Sequence, residues 1–186
     1  MCRQLLRLYA NDLSQFGVWG AAANMYTDSQ YLCPTTRSAH WLVAAGVTTY
    51  TYRLEYAPTL FQSVGELLYW SVPWCDGYAR CANVSAVSIG VGHSSDVYLL
   101  FPDARLTTTD RLVSHAFIDY WSGFAATNDP NAGAPSLPHW PSFDHSNATM
   151  RLRRQASAPA QGTLRPTQCA FWDAQHPVPY PSAPTL

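Results

Sequence analysis

Apolar residues near the start of the chain recur at helical intervals. Leu5, Leu8, Leu13 and Phe16 share one face and Gly17 and Gly20 close it, so the stretch to about Met25 reads as helix. Thr27-Asp28 opens a second helical stretch through Ala45, with Pro34 near its first turn and Gly46 as its stop. The period then changes to two. From Val47 to Tyr56, the set Thr48, Tyr50, Tyr52, Leu54 and Tyr56 alternates with Thr49, Thr51, Arg53 and Glu55, the pattern of a pleated strand.

Periodicity is lost from Ala57 to Ala82, where Pro58, Pro73 and Gly77 interrupt an excursion too long for an idle connection. Its Tyr69, Trp70 and Trp74 are candidates for lining an apolar pocket. A short apolar run, Val84 to Val91, leads into Gly92-His93-Ser94-Ser95-Asp96 and then Val97 to Phe101, which reads as extended. The best helix follows, roughly Asp110 to Thr127. Leu112, Val113, Ala116, Phe117, Tyr120, Trp121 and Phe124 form its apolar stripe, Arg111, His115 and Asp119 lie away from it, and Asp129-Pro130-Asn131 ends it. A Pro-rich loop through Trp140-Pro141 reaches a short strand around Met150 to Arg154. Beyond Ser157 only Cys169-Ala170-Phe171-Trp172 breaks a tail expected to be extended or mobile. No internal repeat is present.

The 186 residues suit one domain, and a composition 47% hydrophobic, 13% aromatic and only 12% charged excludes disorder for the bulk of the chain. A net charge of −1 leaves no electrostatic footprint for nucleic acid or an anionic membrane. All 11 basic residues are Arg, which excludes lysine Schiff-base and P-loop chemistry. No apolar run is long enough for a membrane helix, and Met1 to Arg7 lacks the apolar core of a signal peptide. Five cysteines, with sequons at Asn83 and Asn147, nevertheless point to an oxidising, secretory setting, and thus to a missing N-terminal part.

Three chemistries compete around Gly90-Val91-Gly92-His93. A histidine on a glycine-framed loop can enter a cleft and exchange protons near neutral pH, although an isolated histidine is more often structural. His40, His115, His139, His145 and His176 show no spacing beyond surface or packing roles. Ser94 as nucleophile is disfavoured, because Asp96 stands where a G-x-S-x-G elbow needs its second glycine. Zinc binding by Cys75, Cys81 and His93 lacks a fourth ligand and the usual spacing, so a local Cys75–Cys81 disulfide is the better reading and no metal is expected. Arg151, Arg153 and Arg154 read as a solvated face.

The order of these pieces adds what none carries alone. Asp28 with Cys33-Pro34, Tyr50-Thr51-Tyr52-Arg53, Gly90-Val91-Gly92-His93, the Thr107 to Trp121 helix, Asp129-Pro130-Asn131, Trp140-Pro141 and Cys169-Ala170-Phe171-Trp172 come in one succession. From about Thr27 to Trp172 this resembles the C-terminal part of the type-B carboxylesterase and cholinesterase family of α/β-hydrolases. The resemblance implies an α/β fold comprising the last sheet strands and flanking helices, with an incomplete sheet. It also implies that residues 1–173 are part of a catalytic domain and 174–186 a Pro-rich mobile tail. By position His93 resembles the triad histidine. Cys33 and Cys169 resemble the disulfide that in this family ties the Asp-x-x-x-x-Cys-Pro helix to the C-terminal Cys-Ala-Phe-Trp segment, which over so long a loop would be worth about 5 kcal/mol and would leave Cys2 unpaired. The family usually has Gly after the histidine and Glu two residues further on. Here Ser94 and Asp96 stand there, so with Gly92 they become the support of the histidine loop.

The expectation is a secreted-type serine esterase fragment for small neutral or apolar carboxylic esters, without a cofactor. The nucleophile, triad acid and oxyanion loop would lie in a missing N-terminal part of the same domain, leaving the isolated chain inactive. The alternatives are a catalytically silent cholinesterase-like adhesion or interaction domain, and an inactive truncated paralogue.

Overall fold

The computed structural model of the chain describes residues 2–59, 91–144, 146–154 and 157–175. The expectations for Tyr69, Trp70, Trp74, Cys75, Cys81, Asn83, Gly90, His145 and His176 lie outside the described residues. The chain divides into two compact units, Met1–Thr51 with Ser142–Thr149 and Gln161–Leu186, and Tyr52–Pro141 with Met150–Ala160.

The first unit contains α1 (Cys2–Leu8), α2 (Ala10–Thr27), a π-helical turn at Asp28–Leu32, α3 (Cys33–Ala44) and α6 (Pro166–Gln175). Gly17 does break the opening helix, at φ 68°, but the helix resumes and runs on to Thr27. The expected apolar face is only partly used, with Leu13 and Phe16 39% and 59% exposed. Gly46, at φ 76°, ends α3 as foreseen. Its N–H donates to the Val43 carbonyl and that of Val47 to the Leu42 carbonyl, the two bonds of a Schellman stop.

A buried charge cluster holds this unit. Arg165 Nε donates to Asp28 at 2.5 Å and its Nη2 to Asp12 at 2.9 Å. Tyr9 donates to Asp28, and Trp172 Nε1 donates to the Tyr9 hydroxyl at 2.7 Å. Burial, opposed by the bond from Trp172 and reinforced by Asp28, pushes the Tyr9 phenol up to about 12. The Cys33–Cys169 disulfide closes the unit across 136 positions, and Arg37 pairs with Asp173. Here the sequence expectation fails. Residues 158–175 are not an extended tail, because they form a strand at Ala158–Ala160 and then α6, which the disulfide and Trp172 fasten.

The second unit carries β1 (Tyr52–Leu54), α4 (Val97–Leu100), α5 (Thr108–Thr127), the body of β2 (Thr149–Leu152) and β3 (Ala158–Ala160). The sheet order is β1-β2-β3, and β1 runs parallel to β2 with Tyr52 opposite Met150 and Leu54 opposite Leu152. The strand expected from Val47 to Tyr56 thus contracts to three residues. Its alternation survives in the side chains. Tyr52 faces Trp121, Phe117 and Trp140, while Glu55 turns to Arg151 and Arg153, which donate to its two oxygens at 2.8 and 2.7 Å.

The helix α5 forms where its stripe predicts, with Phe117 and Tyr120 buried and Leu112 left 68% exposed. A reciprocal cap starts it. The Thr107 hydroxyl accepts from Asp110 N–H, and the Asp110 carboxylate accepts from Thr107 N–H at 2.9 Å. Asn128, at φ 62°, stops it. The loop after it folds back as Asn131 brackets Trp140, donating to its carbonyl at 3.0 Å and accepting from its N–H at 2.8 Å. Gly123 and Gly133 make this return possible, since a Cβ on Gly123 would lie 2.6 Å from the Gly133 nitrogen.

Candidate functional site

Gly92, His93, Ser94 and Asp96 lie on one turn that runs into α4. Ser95 N–H donates to the Gly92 carbonyl and Val97 N–H to that of Ser94, each at 3.2 Å. This places Ser94 at φ 67°. A side chain in that left-handed region costs about 1–2 kcal/mol, which is the physical reason that glycine suits the position. His93 is exposed at the corner and Gly92 half-buried. Ser95 is 1% exposed, and its hydroxyl has no partner among the described residues.

Downstream the turn passes directly into α4, contrary to the extended segment expected at Val97 to Phe101. The reason is tertiary. Leu99 is fully buried and its carbonyl accepts from the Ser114 hydroxyl of α5 at 2.6 Å, so packing overrides the strand-like composition of Val97-Tyr98. Asp96 heads this helix, and its carbonyl accepts from Leu99 and Leu100 N–H. Its side chain makes no cap to the helix. Instead Asp96 Oδ2 accepts from the Tyr52 hydroxyl of β1 at 2.7 Å. Burial, together with the Asp96 carboxylate, pushes the Tyr52 phenol well above its ordinary range, so the hydroxyl stays a donor. Tyr52 was legible only as one member of the strand alternation, and nothing local marks its reach to Asp96.

A second carboxylate anchors the same region. Asp110 is fully buried and accepts from the Tyr56 hydroxyl at 2.6 Å and the Thr59 N–H at 3.1 Å besides capping α5. Burial would raise its pKa, but the bonds from Thr107, Tyr56 and Thr59 prevail and hold it at about 2. Among the described residues no group of three His, Cys, Asp or Glu is arranged to hold a metal. No described helix is long and apolar enough to cross a membrane.

The other predicted residues lie apart from this turn. Cys33 and Cys169 are bonded to each other, and Cys2 is the free, exposed cysteine among the described residues. Asn147 is half-buried at φ 52°, with Nδ2 donating to the Thr163 hydroxyl at 3.1 Å.

A short sheet with a parallel strand pair and flanking helices forms an α/β arrangement, beside which His93 stands exposed on a strained turn. The profile of the Carboxylesterase family matches residues 5–172, and the chain belongs to that family, which has the α/β-hydrolase fold. It is 32% identical over 92 residues to bile salt-activated lipase of Homo sapiens, covering 45% of this chain and 12% of that protein. Acylcarnitine hydrolase of Rattus norvegicus is 23% identical over 156 residues, covering 81% and 23%. Acetylcholinesterase 1 of Caenorhabditis briggsae is 30% identical over 103 residues, covering 48% and 17%. The chain therefore spans less than a quarter of the length of these relatives.

Proposed function

We propose that the chain is the histidine-bearing part of a serine esterase that hydrolyses small neutral or apolar carboxylic esters outside the cytosol. The observation that carries this reading is the exposed His93 on a tight turn, held by Asp96 and continuous with α4, inside the region matched by the Carboxylesterase family. In the whole enzyme the imidazole takes the proton of a serine hydroxyl as that oxygen attacks the ester carbonyl. It then gives the proton to the departing alcohol, and in the second half it deprotonates the water that releases the carboxylic acid. The serine, the acid partner and the oxyanion donors are assigned to the part of the catalytic domain outside this chain, so the isolated 186 residues are inactive. The Cys33–Cys169 bridge supports an oxidising compartment.

The test is hydrolysis of a p-nitrophenyl butanoate probe by the full-length protein and its His93→Ala variant. Loss of a general base lowers kcat by about 10² to 10⁴. Undiminished turnover in the variant removes His93 from the mechanism.

A further inference from the structure

We infer that Tyr52 is a positioning residue for His93, acting through Asp96 to hold the turn on which the imidazole stands. The inference rests on the esterase reading of His93 and adds to it a side chain from the sheet, outside the Gly92-to-Asp96 loop.

Five observations converge. The Tyr52 ring is held edge-on by Trp121 at 4.9 Å, Trp140 at 6.1 Å and Phe117 at 6.2 Å. Tyr52 is 37% exposed, but with only two side-chain torsions a ring braced by these three neighbours also fixes where its hydroxyl lies. Its backbone is fixed by the register with Met150, which is fully buried. That hydroxyl meets the Asp96 carboxylate at 2.7 Å. Asp96 is thereby withdrawn from the task an aspartate at a helix start ordinarily performs, since it makes no cap on α4. Finally, the turn it controls is strained at Ser94, at φ 67°, and a strained turn persists only where its surroundings over-determine it. Ser95 buried on one side and the Tyr52–Asp96 bond on the other supply that constraint.

Loss of the hydroxyl lets the turn relax and moves the imidazole relative to its proton partners without altering the ester-binding walls. Turnover therefore suffers while substrate binding does not. In the full-length protein, Tyr52→Phe keeps the ring and its aromatic contacts and removes one charge-assisted bond that water partly reaches, for an expected loss of about tenfold in kcat. KM stays within about twofold, which separates positioning from uniform binding. The melting temperature stays that of the wild type, because the aromatic packing is intact. Asp96→Ala lowers kcat comparably, and Y52F/D96A is no worse than the single variants, since both remove the same bond.

Wild-type kcat in Tyr52→Phe, or losses that multiply in the double variant, overturns the inference. Should Tyr52→Phe fail to fold, Asp96→Ala with wild-type kcat overturns it equally. His93→Ala measured alongside distinguishes the two levels. An inactive His93→Ala with an unimpaired Tyr52→Phe sinks the positioning role alone, and a fully active His93→Ala sinks both.

Discussion

Replacing Arg165 by Met tests the buried charge cluster that organises the disulfide-closed unit. Its guanidinium serves two carboxylates, Asp28 and Asp12, which are 1% and 4% exposed. Methionine retains much of the apolar stem and removes the charge. The carboxylates are then left facing each other, with Tyr9 and Asn24 as their remaining side-chain donors in the cluster. Breaking a buried pair costs about 3–5 kcal/mol, and the partial exposure of the Arg165 side chain selects the lower end, about 3 kcal/mol at neutral pH.

The pH dependence supplies a signature that mere loss of packing lacks. In the wild type, burial would raise the Asp12 carboxyl, but the bonds from Arg165 and Asn24 prevail and hold it below its ordinary value. Its contribution to stability is present above its unfolded pKa, about 3.9, and is lost as pH falls through the folded value. Asp28 behaves oppositely. Burial raises it above its ordinary value despite Arg165 and Tyr9, so its contribution is present below its unfolded pKa and is lost as pH rises through the folded value. Without Arg165 both carboxyls shift upward, and acidification from neutrality relieves the variant by protonating them. Urea unfolding followed by tryptophan fluorescence therefore shows a deficit of about 3 kcal/mol near pH 7 that shrinks to about half near pH 4.5. A deficit under about 1 kcal/mol, or one equal at the two pH values, refutes the reasoning.

Two further outcomes are expected. Cys33→Ser with Cys169→Ser opens a loop of 136 positions and lowers stability by about 5 kcal/mol on the chain-entropy scale, read as a fall in the urea midpoint that reductant reproduces in the wild type. An unchanged midpoint contradicts it. Asp110→Asn removes a buried carboxylate held at about 2 against a reference of 3.8. That depression contributes about 2.5 kcal/mol above the unfolded pKa and is lost as pH falls from about 4 to about 2. The variant is accordingly less stable at neutral pH and has a flatter acid limb, and an unaltered acid limb excludes Asp110 as its source.

Much of the helical architecture was legible because its signals are local. The stripe from Val113 to Phe124 and the Gly46 stop each rest on residues a few positions apart, and each lies where its pattern indicates. The His93 turn was legible in part. Gly92, Ser94 and Asp96 were singled out through the family resemblance, and the left-handed Ser94 supplies the physical reason for the glycine that usually stands there. The helical course of Val97–Leu100 was not legible. Nothing in those four residues announces that Leu99 will be buried and bonded to Ser114, 15 positions away.

The sequence by itself determined the helical period of α5, the alternation carried by β1, the Gly46 stop, and the exclusion of lysine chemistry. Through resemblance it also determined the pairing of Cys33 with Cys169. Only the tertiary structure decided that β1 is three residues long, that the segment after Ser157 forms α6, and that Tyr52 reaches Asp96 across 44 positions. The physical reason is the range of the forces involved. Periodicity and capping are written in neighbouring residues, whereas a strand's length depends on the partner that satisfies its backbone groups, and a side-chain bond on where two remote elements place their atoms.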